Sequence, residues 1–257
     1  MFLIHGFVRI TNPYLIFASM KKNKLQRFAE MKEMPNVIQY GFADVEKKGL
    51  HALRGKWKKD FFKNENPLVL ELGCGKGEYT VGLAERYPEK NFIGIDVKGA
   101  RMHRGATIAI QKKLGNVGFL RIRIDFINAI FDEGEVDEIW ITFADPQKEK
   151  PRKRLTSPLF LSRYAHLLVP RGIIHLKTDS VLLHESTLDV IKEEGHEMID
   201  RSEDIYGDGK KRDEVLTTIQ TTYEKMFLAK GMKITYVSFR LKKDYAKEEK
   251  IFPLAEI

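Results

Sequence analysis

At 257 residues with 43% hydrophobic side chains, the chain can bury one full α/β core and carry an extension beside it. A single cysteine, Cys74, excludes an intramolecular disulfide and a cysteine-built zinc cage and fits a reducing cytoplasm, and no run of about 18 apolar residues exists to cross a bilayer. Lysine and arginine exceed aspartate and glutamate by 8, an excess that suits a polyanionic partner without requiring one.

The first nineteen residues are apolar, but Asn12-Pro13 interrupts them and Arg9 lies inside the run, so secretion is not expected. Met20, followed by Lys21, Lys22 and Lys24, is a second candidate start. Residues 20–63 hold 12 basic and 5 acidic side chains, so 1–63 is taken as an N-terminal extension that is basic from Met20. Within it Trp57, Phe61 and Phe62 interleave with Lys56, Lys58, Lys59 and Lys63. That composition suits RNA contact. It suits equally a helix face pinned to the core, because Trp57 and Phe61 are four residues apart.

From Pro67 onward, short β-branched runs alternate with amphipathic segments, which predicts a Rossmann-like, doubly wound and mostly parallel sheet over 64–241. Strands are expected at 68–72, 91–96, 117–124, 138–143, 172–177 and 233–241. Helices are expected at 79–86, 98–113, 157–168, 181–194 and 221–230, with a polar loop at 203–214 and a charged tail at 242–257.

The chemistry concentrates after the strands. Glu71-Leu-Gly73-Cys-Gly75-Lys-Gly77 follows the first strand, where glycines permit positive φ and close approach of a ligand to the backbone. The spacing is neither the dinucleotide G-x-G-x-x-G nor a phosphate loop. A carboxylate two residues before Gly73 opposes a pyrophosphate and suits the ammonium of a methionine moiety, which points to S-adenosylmethionine. Asp96 ends the second strand, where it can accept protons from ribose hydroxyls, and Asp125 follows the third, within reach of an adenine amine. Cys74 has no nearby histidine to activate it and is read as a small turn residue. His175 alternates with apolar strand residues, as a packing residue does, and His103, His166 and His184 lack ligand spacing, so no metal site is expected.

The fourth strand runs into Ala144-Asp145-Pro146-Gln147, which lacks the second proline and the aromatic of enzymes that methylate exocyclic amines, so a different nitrogen is implied. Lys148, Lys150, Arg152, Lys153 and Arg154 follow at once, against the single acid Glu149.

Over residues 60–241 the sequence resembles the bacterial tRNA (guanine-N7)-methyltransferase family. The resemblance rests on E-L-G-C-G-K-G at 71–77, G-I-D at 94–96, F-A-D-P at 143–146, R-L-T-S-P at 154–158, H-L-K-T-D at 175–179 and T-T-Y-E-K-M-F at 221–227. It implies that Glu71, Gly73, Gly75, Gly77, Asp96, Asp125 and Asp145 hold the cofactor, with Asp145 also catalytic. It further implies that Lys148, Asp179, Thr221, Thr222, Tyr223 and Glu224 bind guanosine, in the tRNA variable loop. The sequence departs from the family at Gln147, where the family has tryptophan, and in a basic run about two residues shorter. The expected protein is a cytoplasmic enzyme with tRNA as partner and no membrane or metal, monomeric or homodimeric. A methyltransferase of this fold acting on another nucleic-acid base or a protein is the alternative. So is a noncatalytic RNA-binding module, which the joint presence of Glu71, Asp96 and Asp145 argues against.

Overall fold

The computed structural model describes residues 23–245. The apolar leader, the second candidate start at Met20 and most of the charged tail lie outside the described residues.

An N-terminal helix α1 (Lys24–Glu33) starts at Asn23, whose side chain accepts from the Gln26 N–H while Gln26 reaches back to the Asn23 N–H. Strand β1 (Val37–Gln39), helix α2 (Phe42–Lys48) and a π-helical turn (Trp57–Phe62) follow. The alternating unit then runs β2 (Leu68–Leu72), α3 (Glu78–Arg86), β3 (Asn91–Asp96), α4 (Gly99–Gln111) and β4 (Val117–Arg121), with a 3-10 turn at Ile124–Ala129. Next come β5 (Val136–Thr142), a short turn at Pro151–Lys153, α5 (Pro158–Leu167), β6 (Leu168–Thr178), α6 (Val181–Glu194) and β7 (Glu197–Ser202). The described chain closes with α7 (Val215–Thr218), α8 (Thr222–Leu228) and β8 (Thr235–Arg240).

The eight strands form one sheet in the order β1-β4-β3-β2-β5-β6-β8-β7. The first six in that order are parallel, while β8 runs antiparallel to both β6 and β7. Chain order reverses between β2, which leads outward to β3, and β5 on its other side. Ligands of open α/β sheets bind at that reversal, beyond the carboxyl ends of the strands. All five residues of β2 are buried, as expected of a central strand covered on both faces. On one face Leu70, Ile93, Ile139 and Leu176 pack with α5, α6 and the Trp57 turn; on the other Val69, Phe92, Trp140 and Tyr236 pack with α1, α3 and α4.

Residues 24–62 are built into this same fold. β1 extends the sheet beside β4. Trp57 is 1% exposed, donates its indole N–H to the Ile130 carbonyl at 3.0 Å and stacks on Phe131. Trp57 and Phe61 lie with ring centroids 5.4 Å apart. Of the two readings the sequence left open, the structure supports the core-pinning one for Trp57, since a side chain closed off from solvent cannot stack on RNA.

β7 had no counterpart among the expected strands. It is the sheet edge, with Met198 and Ile199 exposed, so no alternating apolar face marks it. No helix of the described residues is long and apolar enough to cross a membrane.

Candidate active site

The glycine turn between β2 and α3 carries positive φ at three positions, +78° at Gly73, +54° at Gly75 and +69° at Gly77. They serve different ends. A side chain at Gly77 would drive its Cβ to 2.4 Å from the Phe119 ring, so this glycine lets the turn press onto α4 and β4. At Gly73 nothing lies within 4 Å of where a Cβ would be, which leaves an open, backbone-lined cradle above the strand ends.

Two carboxylates hold that cradle from behind. Asp96 accepts from the Gly75 N–H at 2.9 Å and, on its other oxygen, from the Lys98 N–H at 2.7 Å. Each oxygen keeps a further lone pair for a hydroxyl donor. Glu71 is buried, accepting from the Thr80 N–H at 2.8 Å, from the Thr80 hydroxyl and from the Thr142 hydroxyl at 2.6 Å. Burial raises its carboxyl from the ordinary 4.5 to about 7, against the lowering effect of these donors. Because the folded value exceeds the unfolded one, this group's contribution to stability falls as pH rises from 4.5 to about 7 and is level above that. Glu71→Gln, which keeps the shape and cannot ionise, is therefore expected to gain on the wild type in melting temperature between pH 5 and pH 8; a constant difference across that range would refute the shift. Beside Glu71, Cys74 is buried, and burial pushes its thiol well above the usual range. It packs as a small buried side chain of the turn.

Asp125 is the second residue of the 3-10 turn after β4. Burial tends to raise its carboxyl, but Lys153 at 3.2 Å, Arg123 at 3.4 Å and Arg163 at 3.8 Å outweigh that and hold it below the usual carboxylate range. An adenine amine at this position has to share the carboxylate with cations, one of them from the basic run.

Across the reversal, β5 ends in Phe143-Ala144-Asp145-Pro146-Gln147. Phe143 and Gln147 flank this turn with φ of +51° and +47°, a left-handed conformation unfavourable for side chains that cluster at functional sites when it is maintained. Phe143 is held there by its N–H bond to the Lys177 carbonyl at 2.9 Å. Asp145 is exposed and accepts from the Gln147 N–H at 3.0 Å, which closes the turn and keeps the carboxylate at the strand end. Lys148 is exposed just beyond.

Asp179 follows the last residue of β6 and is half-buried; burial raises its carboxyl. The Thr221–Glu224 segment divides in two. Thr221 caps α8 by accepting from the Glu224 N–H at 3.1 Å and is buried. Glu224 is wholly buried, its oxygens taken by Lys177 at 2.7 and 2.9 Å and by the Tyr206 hydroxyl at 2.8 Å. Thr222 and Tyr223 face outward, and Thr222 gives both its N–H and its hydroxyl to Glu78, at 2.8 and 2.6 Å. The carboxylate of Glu224, expected to meet guanosine, is thus already committed within the protein.

The glycine turn and Asp96 thus lie at the β2 and β3 ends of the sheet, and Asp145 and Asp179 at the β5 and β6 ends. A methyltransferase family model matches residues 65–237. The chain is 49% identical over 222 residues to the tRNA (guanine-N(7)-)-methyltransferase of Bacteroides fragilis, covering 86% of this chain and 87% of that protein. It is 50% identical to the enzyme of the same name from Christiangramia forsetii, covering 86% of this chain and 99% of that one. The chain belongs to the tRNA (guanine-N(7)-)-methyltransferase family. In fold this family member is similar to the 16S rRNA (adenine(1408)-N(1))-methyltransferase from Catenulisporales acidiphilia, with a TM-score of 0.53 at 14% identity over 76% of this chain and 96% of that one.

Residues to which the sequence assigned no role tie these segments of the methyltransferase together. Glu78 and Lys76 tie the glycine turn to Thr222, the lysine donating at 3.1 Å. Lys177 and Tyr206 hold α8 from beneath. Lys76 and Lys177 stand inside the 71–77 and 175–179 motifs without an assigned role there, and Glu78 and Tyr206 lie outside every motif.

Proposed function

We propose that this chain transfers the methyl group of S-adenosylmethionine to N7 of a guanosine in tRNA, and that this guanosine lies in the variable loop. The observation that carries the reading is the exposed carboxylate of Asp145 at the β5 end, across the sheet reversal from an open glycine cradle, in a chain about half identical to enzymes of that name.

The cradle fits the donor. Gly73 and Gly75 offer backbone without side chains, Asp96 has lone pairs left for ribose hydroxyls, and Glu71, whose carboxyl burial raises to about 7, is drawn to its charged form by a methionine ammonium above it. We assign Gly77 to the shape of the turn and Asp125 to the adenine amine, shared with Lys153. When bound, S-adenosylmethionine supplies an electrophilic methyl group on a sulfonium.

Guanine N7 carries an in-plane lone pair and no proton, so no general base is needed, and none is assigned. Positioning carries the rate: fixing two reactants in line is worth up to about 7–11 kcal/mol in well-oriented systems. The purine becomes cationic as N7 is alkylated, and Asp145 stabilises that developing charge. Asp179 accepts from the N1 and N2 protons of guanine, a pair that adenine does not offer. Tyr223 and Thr222 border the base, and Lys148 faces the RNA backbone. Thr221 and Glu224 act through the placement of α8.

The test is incubation of the protein with tritiated-methyl donor and unmodified tRNA, then nucleoside mass spectrometry. Label in 7-methylguanosine supports the reading; label in another nucleoside, or none, overturns it. Asp179→Ala is expected to raise KM for tRNA while donor affinity, read by calorimetry, stays as in wild type. Unchanged tRNA affinity and turnover in that variant remove Asp179 from the site.

A further inference from the structure

A cavity of about 410 Å³ lies between the end of the basic run, the first turn of α5 and the middle of α6. Its volume is within the range of small-ligand clefts, roughly 300–1,000 Å³. We propose that it receives an unstacked nucleobase of the same tRNA, a neighbour of the guanosine that is methylated. The proposal rests on the function inferred above.

The lining selects the ligand class. Pro151, Pro158, Leu159 and Val190 give it carbon walls, and Arg152 and Arg154 bring guanidinium groups to it. Flat π-faces stack on such surfaces whatever their sequence. A phosphate would find donors only in the guanidinium groups, because the hydroxyl protons of the walls are already placed: Ser157 donates to the Arg152 carbonyl at 2.9 Å, Ser186 to the Leu183 carbonyl at 3.1 Å, and Thr156 pairs with Thr187 at 2.6 Å. The two prolines fix the backbone on one side, so the space is preformed.

Its place in the fold selects the nucleotide. Arg154 donates from Nε to the Pro146 carbonyl at 3.1 Å, which ties a wall of the cavity to the turn that carries Asp145 and sets the plane of the guanidinium. A base seated here is therefore adjacent to the acceptor site. Extruding a guanosine from its stack also strips its neighbours of a stacking partner, at a cost of a few kcal/mol. A second seat for one neighbour offsets part of that cost and holds the RNA in register, which one extruded base cannot do alone.

The experiment fills the cavity from α6 with Ser186→Phe and places 2-aminopurine at each nucleotide flanking the methylated guanosine. With wild type, one flanking probe is expected to brighten on binding as it leaves the stack. With Ser186→Phe that signal is expected to vanish and KM for tRNA to rise about tenfold, the worth of one stacked base, with donor affinity and kcat at saturating tRNA near wild type. A folded variant with wild-type KM and an unchanged probe signal overturns the proposal. As a second measurement that needs no variant, photocrosslinking of wild type to tRNA carrying 4-thiouridine beside the target is expected to label residues within 151–159 or 186–190; labels confined to other segments overturn the proposal too. Wild type that makes 7-methylguanosine yet fails these tests refutes the cavity alone, whereas wild type that makes none refutes the function beneath it.

Discussion

Asp145→Ala is expected to lower the kcat for 7-methylguanosine formation by roughly 10²–10³, the usual cost of removing one group aimed at developing charge. The protein itself is expected to stay folded. Asp145 is exposed and accepts a hydrogen bond from the Gln147 N–H, and surface substitutions of that kind stay within about 0.5 kcal/mol. Asp145→Asn separates two roles. Asparagine keeps an acceptor for the Gln147 N–H and so keeps the turn, but it carries no charge. If charge stabilisation is what matters, Asn falls nearly as far as Ala; if the carboxylate only shapes the turn, Asn recovers most of the rate. Steady-state kinetics at saturating tRNA and donor reads the difference, and wild-type turnover in the alanine variant removes Asp145 from the chemistry.

The strands that build this site were legible because punctuation brackets them. Pro67 and Gly73 bound β2, Asp96 closes β3, and Ser180 and Gly195 bound α6; the expected spans 68–72, 91–96 and 181–194 coincide with the observed ones. The glycine turn and the D-P turn were legible for the same reason, since positive φ and strand-end carboxylates are local properties. The N-terminal elements were not. β1 has only three residues and takes its hydrogen bonds from β4, some eighty positions away, so no periodicity within it announces a strand. The partners of the site's charges were also hidden. Asp125 meets Lys153 and Arg163 only because the basic run and α5 fold back against the β4 end. Lys177 meets Glu224 across a separation of 47 residues. A carboxylate in a motif can be seen in sequence, but whether it faces a ligand or another side chain is decided by the tertiary fold.

That last distinction gives the second large effect. Lys177 and Glu224 are both 0% exposed, and burial pulls the lysine below its ordinary range while Glu224 opposes the fall. Lys177→Met leaves a carboxylate buried with the Tyr206 hydroxyl as its remaining side-chain donor, and a buried charge stripped of its partner costs about 3–5 kcal/mol. Glu224→Met strands the ammonium instead, and a loss of similar size is expected. The double variant Lys177→Met, Glu224→Met removes both charges, and apolar replacement of a buried pair is often neutral or better by about 1–4 kcal/mol. Denaturant melts of the three variants should therefore show two large losses and a recovery. Activity is expected to part company with stability at that point. The pair fixes the first turn of α8 against β6, and Glu78 fixes the same turn to the start of α3 through Thr222, so the two ends of the site are joined through residues 222–224. An apolar contact can fill the space between β6 and α8 without setting the helix's rotation, and the double variant is expected to regain stability with KM for tRNA still raised. Full recovery of KM together with stability would show that the pair serves the core alone and that α8 is placed by the Glu78 contact.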